Sequence, residues 1–188
     1  MRFALFVVVL SAALSAGEDP SAIAQPTPST PTAVFPIPTD RPPTLASLRR
    51  RFRGARVRRR ISYGESDPGF PIHSFCVDLG ARCGLEFFLT PDGRLHGLTV
   101  RTPTFVGPAG IRVGASYPEL AAVMESDCII GLGDDIGLFC DVVGHPNVRV
   151  VFTTPDLQGD LSHLSETPTP AQLAAARVVS FYWNAESL

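Results

Sequence analysis

The sequence predicts an α+β domain on a largely antiparallel sheet, with three short helices and disulfide staples. Three observations carry that expectation. Segments of period-two hydrophobicity follow one another across tight turns, helix caps precede three short stretches, and all four cysteines lie behind an apolar leader. The stretch in which these signals fall, residues 44–185, has the length of one globular domain.

Arg2 supplies a short positive region, Phe3 to Leu14 form an uncharged apolar run, and Ser15 and Ala16 are small residues suited to cleavage. Residues 1–16 therefore read as a secretory signal peptide. The run falls short of the roughly 20 residues that span a bilayer, and no later stretch qualifies as a transmembrane segment. The mature protein is expected to be soluble, in the periplasm or secreted to the medium. Residues 17–43 carry eight prolines among Ser, Thr and Ala. With little apolar surface to offset ordering entropy, they predict a Pro/Ser/Thr-rich flexible tether.

Thr44 is a candidate N-cap, with Leu45, Leu48 and Phe52 behind it at helical spacing and Gly54 as the stop. From Ala55 the period changes to two. Ala55, Val57, Ile61 and Tyr63 take the core-facing side and Arg56, Arg58 and Arg60 the other, while Arg59 is a misfit directed toward the core. His73, Phe75, Val77 and Leu79 alternate again; Gly80 to Arg82 then turn the chain into a strand over Leu85 to Thr90. Pro91, Asp92 and Gly93 make a tight turn into Leu95 to Arg101, which completes an antiparallel meander.

Gly107 to Gly110 interrupt the pattern ahead of a short predicted strand, Ile111 to Val113. Ser116, Pro118 and Glu119 form a capping box for a helix through Leu120, Val123 and Met124. Ile136 to Val143 and Val148 to Thr153 predict a second antiparallel pair around a turn at Gly144 to Asn147. Thr169, Pro170 and Gln172 repeat the capping box before a last strand, Arg177 to Trp183.

Six residues separate Cys76 from Cys83 and eleven separate Cys128 from Cys140. An even count in an oxidising compartment pairs, and of the three connectivities the two local ones are favoured because each staples a hairpin or loop. Each is worth roughly 2 to 3 kcal/mol by chain-entropy reasoning. On facing strands, Cys76 and Cys83 meet only if both are substantially buried or a bulge intervenes. Neither spacing is the tight C-x(2-4)-C of a zinc knuckle, so no metal is expected there.

Gly110-Ile-Arg-Val-Gly114, Leu120, Cys128, Cys140, Val150 to Phe152 and a strand ending in Trp183 occur in an order that resembles a family of uncharacterised Gram-negative envelope proteins. These include a lipoprotein regulated by envelope stress. The likeness is clearest over residues 95–184 and extends weakly back to residue 44. It implies a periplasmic, disulfide-stapled domain of unknown function, with no catalytic residues to carry over. This chain lacks the lipid-attachment cysteine after its apolar leader, and Cys76 and Cys83 are additions.

Catalytic and metal chemistry is thinly represented. Ser116 follows Gly114 at a strand-to-helix turn, yet a nucleophile elbow needs G-x-S-x-G and Pro118 stands where its second glycine belongs. His73, His96, His145 and His163 show no spacing that puts two on one helical face, although His73 and His96 fall on neighbouring strands of the meander. Asp127, Asp134, Asp135 and Asp141 bracket the second cysteine pair without the D-x-D-x-D-G series of a calcium loop. Asp78 and Glu86 form a candidate carboxylate pair that reads as exposed surface charge. The sequence therefore predicts no enzyme, no cofactor and no metal.

Eight of the twelve residues from Arg49 to Arg60 are arginine, although the chain as a whole is near charge balance, with 16 basic and 18 acidic residues. Arginine forks match phosphate and carboxylate, so Arg49, Arg50, Arg53, Arg56, Arg58 and Arg60 are candidate anion ligands on a helix–strand face. The partners to expect in an envelope are acidic glycans, lipopolysaccharide phosphates and lipid headgroups. Nucleic acid is not expected, because stacking aromatics are not interleaved with the arginines. A solvated charged face is the plainer alternative. The leading expectation is a non-enzymatic, envelope-associated binding module. The alternatives are an envelope hydrolase or proteinaceous inhibitor, or a structural partner of an outer-membrane complex that uses Phe105 and Val106 as exposed apolar contacts.

Overall fold

The computed structural model describes residues 32–33, 42–63, 71–131, 136–158 and 167–185. The expected signal peptide, all of the expected tether except residues 32–33 and 42–43, and His163, Asp134 and Asp135 lie outside these residues. Thr32–Ala33 forms a short strand, β1. The first helix, α1, spans Leu45–Arg51; Thr44 Oγ1 accepts the Ser47 N–H at 3.1 Å and the Ser47 hydroxyl oxygen accepts the Thr44 N–H at 2.9 Å. It ends where Gly54 takes φ +86°, a conformation glycine adopts without strain.

Four strands then run as a meander: β2 (Arg56–Tyr63), β3 (Pro71–Leu79), β4 (Ala81–Leu89) and β5 (Leu95–Val100). After β6 (Phe105–Val106), which pairs in parallel with β1, come α2 (Tyr117–Leu120), β7 (Ile129–Gly131), β8 (Gly137–Val142) and β9 (His145–Thr153). The described chain closes with α3 (Pro170–Ala175) and β10 (Arg177–Asn184). Eight strands form one sheet in the order β2-β3-β4-β5-β10-β9-β8-β7, every neighbour antiparallel. This is the predicted α+β architecture, with three α-helices among the described residues.

One face of the sheet holds the core. Val57, Val77, Leu85, Val100, Phe181, Val150 and Cys140 lie opposite one another across seven strands and are all buried. Leu48 of α1 and Leu120 of α2 join that cluster, Leu173 of α3 packs against it, and Tyr117 sets its ring edge-on to Phe152 with centroids 5.4 Å apart. The three helices therefore share this face.

Both local disulfides form, Cys76–Cys83 and Cys128–Cys140. The first meets both expected conditions, since the two cysteines are buried and the register shifts between Val77 and Leu79.

Several expectations need correction. Ile111–Val113 is no strand: Pro108 and the positive φ of Ala109 and Gly110 wind the chain into a 3-10 turn, and Ile111 enters the core as a fully buried plug. Its carbonyl accepts the Gly107 N–H at 2.8 Å. Strand β7 is a three-residue element too short to show a period. Strand β9 starts at His145 because the turn tightens around Gly144, at φ +73°. Ile61 and Tyr63 are 53 % and 62 % exposed despite their core-side parity, since α1 covers only the Val57 end of this edge strand. Phe105 is buried beneath α1, edge-on to Phe52 at 6.4 Å, and offers no exposed contact.

Candidate anion-binding site

The sheet face opposite the helices carries polar chemistry in register. Arg58, Cys76, Glu86, Thr99, Tyr182, Arg149 and Asp141 lie opposite one another in turn from β2 to β8. One step along the strands, Arg60, Ser74, Phe88, Gly97 and Asn184 form a second row. Alternation of side chains along each strand places both rows on this one face.

Glu86 is buried at 2 % exposure. Its Oε1 accepts the Ser74 hydroxyl at 2.8 Å and an Arg60 N–H at 3.4 Å, while Oε2 accepts an Arg101 N–H at 3.0 Å. Asp78 Oδ1 accepts the Cys83 backbone N–H at 2.8 Å and an Arg58 N–H at 3.5 Å. The Cys83 N–H, helped by the Arg58 and Arg56 guanidiniums, holds the Asp78 carboxyl below its ordinary range. These carboxylates fix three arginines in place.

Arg58, Arg60, Arg82 and Arg101 line a pocket of about 420 Å³ together with Cys83. Arg82 is exposed and meets no carboxylate among the described residues. Among the described residues, four guanidiniums converge here and two carboxylates, Asp78 and Glu86, face them. Guanidinium forks positioned by carboxylate acceptors are suited to phosphate or carboxylate oxygens of a ligand.

The structure divides the predicted arginine run. Arg58 and Arg60 enter the pocket, and Arg56 lies opposite Asp78 on the same face. Arg49, Arg50 and Arg53 are exposed on α1 and the turn after it, which pack on the other side of the sheet through Leu48. Arg82 and Arg101 were missed because they are remote in sequence from the run. The signal lay in the cysteines: a Cys76–Cys83 staple across the β3–β4 hairpin brings Arg82 next to the strand that faces Arg58.

Glu86 is also a correction, since the expected exposed carboxylate is a buried one. Burial succeeds because two guanidiniums and a hydroxyl replace its water. Ser116 is engaged in the α2 cap, where its N–H and hydroxyl both donate to Glu119 Oε2, at 2.7 and 2.8 Å. It bridges Arg177 at the start of β10, three strand positions from His73 on β3. Asp141 takes Arg149 through both oxygens, at 2.6 and 3.0 Å, an arrangement that leaves it little capacity for a cation. Among the described residues no three His, Cys, Asp or Glu side chains gather at metal-binding distance, and no helix is long and apolar enough to cross a membrane.

No family model matches the chain, and no curated protein sequence matches it. Among solved structures, the crystal structure of the uncharacterised protein YfeY from Escherichia coli is similar. At 16 % identity and a TM-score of 0.58, it covers 78 % of this chain and 91 % of its own, and so shares the fold.

Proposed function

We propose that this chain is a non-enzymatic binding module of the cell envelope that holds an anionic group in the pocket of Arg58, Arg60, Arg82 and Arg101. The observation that carries the reading is the convergence of four guanidiniums on one pocket, three of them oriented by Glu86 and Asp78. An envelope setting is supported by the two disulfides, which persist in oxidising compartments. A fold shared with a protein of a Gram-negative organism, the leader sequence and the resemblance to envelope lipoproteins support it too. Phosphates of lipopolysaccharide, acidic glycans and anionic lipid headgroups all offer the oxygens such a pocket recognises.

The test compares two triple variants in salt-dependent retention on purified lipopolysaccharide and on vesicles containing anionic phospholipid. Replacing Arg58, Arg60 and Arg82 with Ser is expected to weaken retention by about tenfold or more, because each charge-assisted bond is worth about 1.5 to 3 kcal/mol. Replacing Arg49, Arg50 and Arg53 with Ser is expected to change it far less. Retention that ignores both salt and the first set of substitutions would refute the reading.

A further inference from the structure

A second cavity opens on the same sheet face as the arginine pocket. It encloses about 500 Å³, within the range of small-molecule sites, and its lining is mainly apolar: Ile72, Phe88 and Tyr182 belong to this face, while Leu98 and Trp183, one position out of phase, turn into the core behind the floor. Register fixes its distance from the charge. Arg60 faces Ser74 on β3, and Ser74 faces Phe88 on β4. Two strand spacings separate Arg60 from Phe88, about 10 Å. Gly97, the next position in that row, has no side chain to interrupt the floor. Along β4, Glu86 and Phe88 are neighbours on one face, so the buried carboxylate that orients Arg60 and Arg101 adjoins the apolar wall.

Resting on the anion-site reading, we infer that the two cavities bind a single amphiphile, a monomeric alkyl chain ended by a phosphate or carboxylate. The chain lies in the apolar groove over Phe88 and Gly97. Its head reaches the pocket where the four guanidiniums converge and offers them anionic oxygens. A neutral detergent lacks the head, and a free phosphate lacks the tail. Each engages half of the site.

Trp183, the chain's one tryptophan, lies in the core directly behind the groove floor and next to Tyr182 on the groove face, so calorimetry is the primary readout and tryptophan fluorescence a secondary one. Titrations of the mature protein with dodecyl phosphate below its micelle concentration, dodecyl maltoside and inorganic phosphate, followed by fluorescence and calorimetry, separate the contributions. Dodecyl phosphate is expected to bind at least about tenfold more tightly than either other probe. Ile72→Ser, at a position already part-exposed on the surface, is expected to abolish that advantage and, adding no charge, to leave inorganic phosphate binding unchanged. Phe88→Ser provides an independent check should the first variant misfold. Dodecyl phosphate binding no tighter than phosphate, with phosphate binding lost on removal of the arginines, would overturn the amphiphile and leave the anion site standing. Equal binding of dodecyl phosphate and dodecyl maltoside, with no response to phosphate, would overturn both.

Discussion

Glu86 concentrates the design of this site in one side chain. A carboxylate at 2 % exposure costs several kcal/mol to desolvate, and its two arginines and Ser74 offset that cost. Glu86→Gln keeps the shape and an acceptor for Ser74 but removes the charge, and its two consequences have opposite signs. Stability should fall by about 1 to 3 kcal/mol, less than for a fully buried pair because Arg60 and Arg101 are 48 % and 32 % exposed. Affinity for inorganic phosphate should rise, since the guanidiniums lose a competing anion. Chemical denaturation and calorimetry read the two effects separately; a variant that is less stable and also binds phosphate more weakly would show that Glu86 serves the site chiefly by positioning the arginines.

At the scale of elements, β2 has a second task. With β7 it is one of the two edge strands of the sheet among the described strands, and an open edge invites pairing with another chain. Arg59 lies exposed on the helix-side face of this edge, beside the exposed Ile61 and Tyr63. Its parity marked it in the sequence as a misfit on the core side, and position at the rim resolves the conflict. Arg59→Val should therefore promote self-association, read by light scattering as a concentration-dependent rise in mass, with phosphate binding unaffected; a variant that stays monomeric would remove the edge-guarding role. Elements such as α1, α3 and the β4–β5 turn were legible because their caps and turn residues act within a few positions. The allocation of arginines between faces was only half legible. Alternation separated Arg58 and Arg60 from Val57, but Arg82 and Arg101 join them through register and a disulfide, which are relations between distant segments. Phe105 and Ile111 escaped for the same reason: local sequence marked a loop, and the packing of α1 and the core decided their burial.

The whole molecule is two meanders joined by one strand. Strands β2 to β5 form one half and β7 to β9 the other, and β10 sits between β5 and β9, pairing with both. A chain stopped before Arg177 leaves two open edges and removes Phe181 and Trp183 from the core. Such a truncation should lose the cooperative unfolding transition seen by near-ultraviolet circular dichroism; retention of a sharp transition would mean that one half folds alone. The position of β10 also sets a timetable. It follows both of its neighbours in sequence, so a chain emerging N-terminus first, from a ribosome or across a membrane, can complete its sheet only after this strand arrives. Cys76–Cys83 and Cys128–Cys140 each lie within a single half, so oxidation need not wait for the halves to meet. The order of events is thus written into the topology: staple each half, then close the sheet with the segment delivered last.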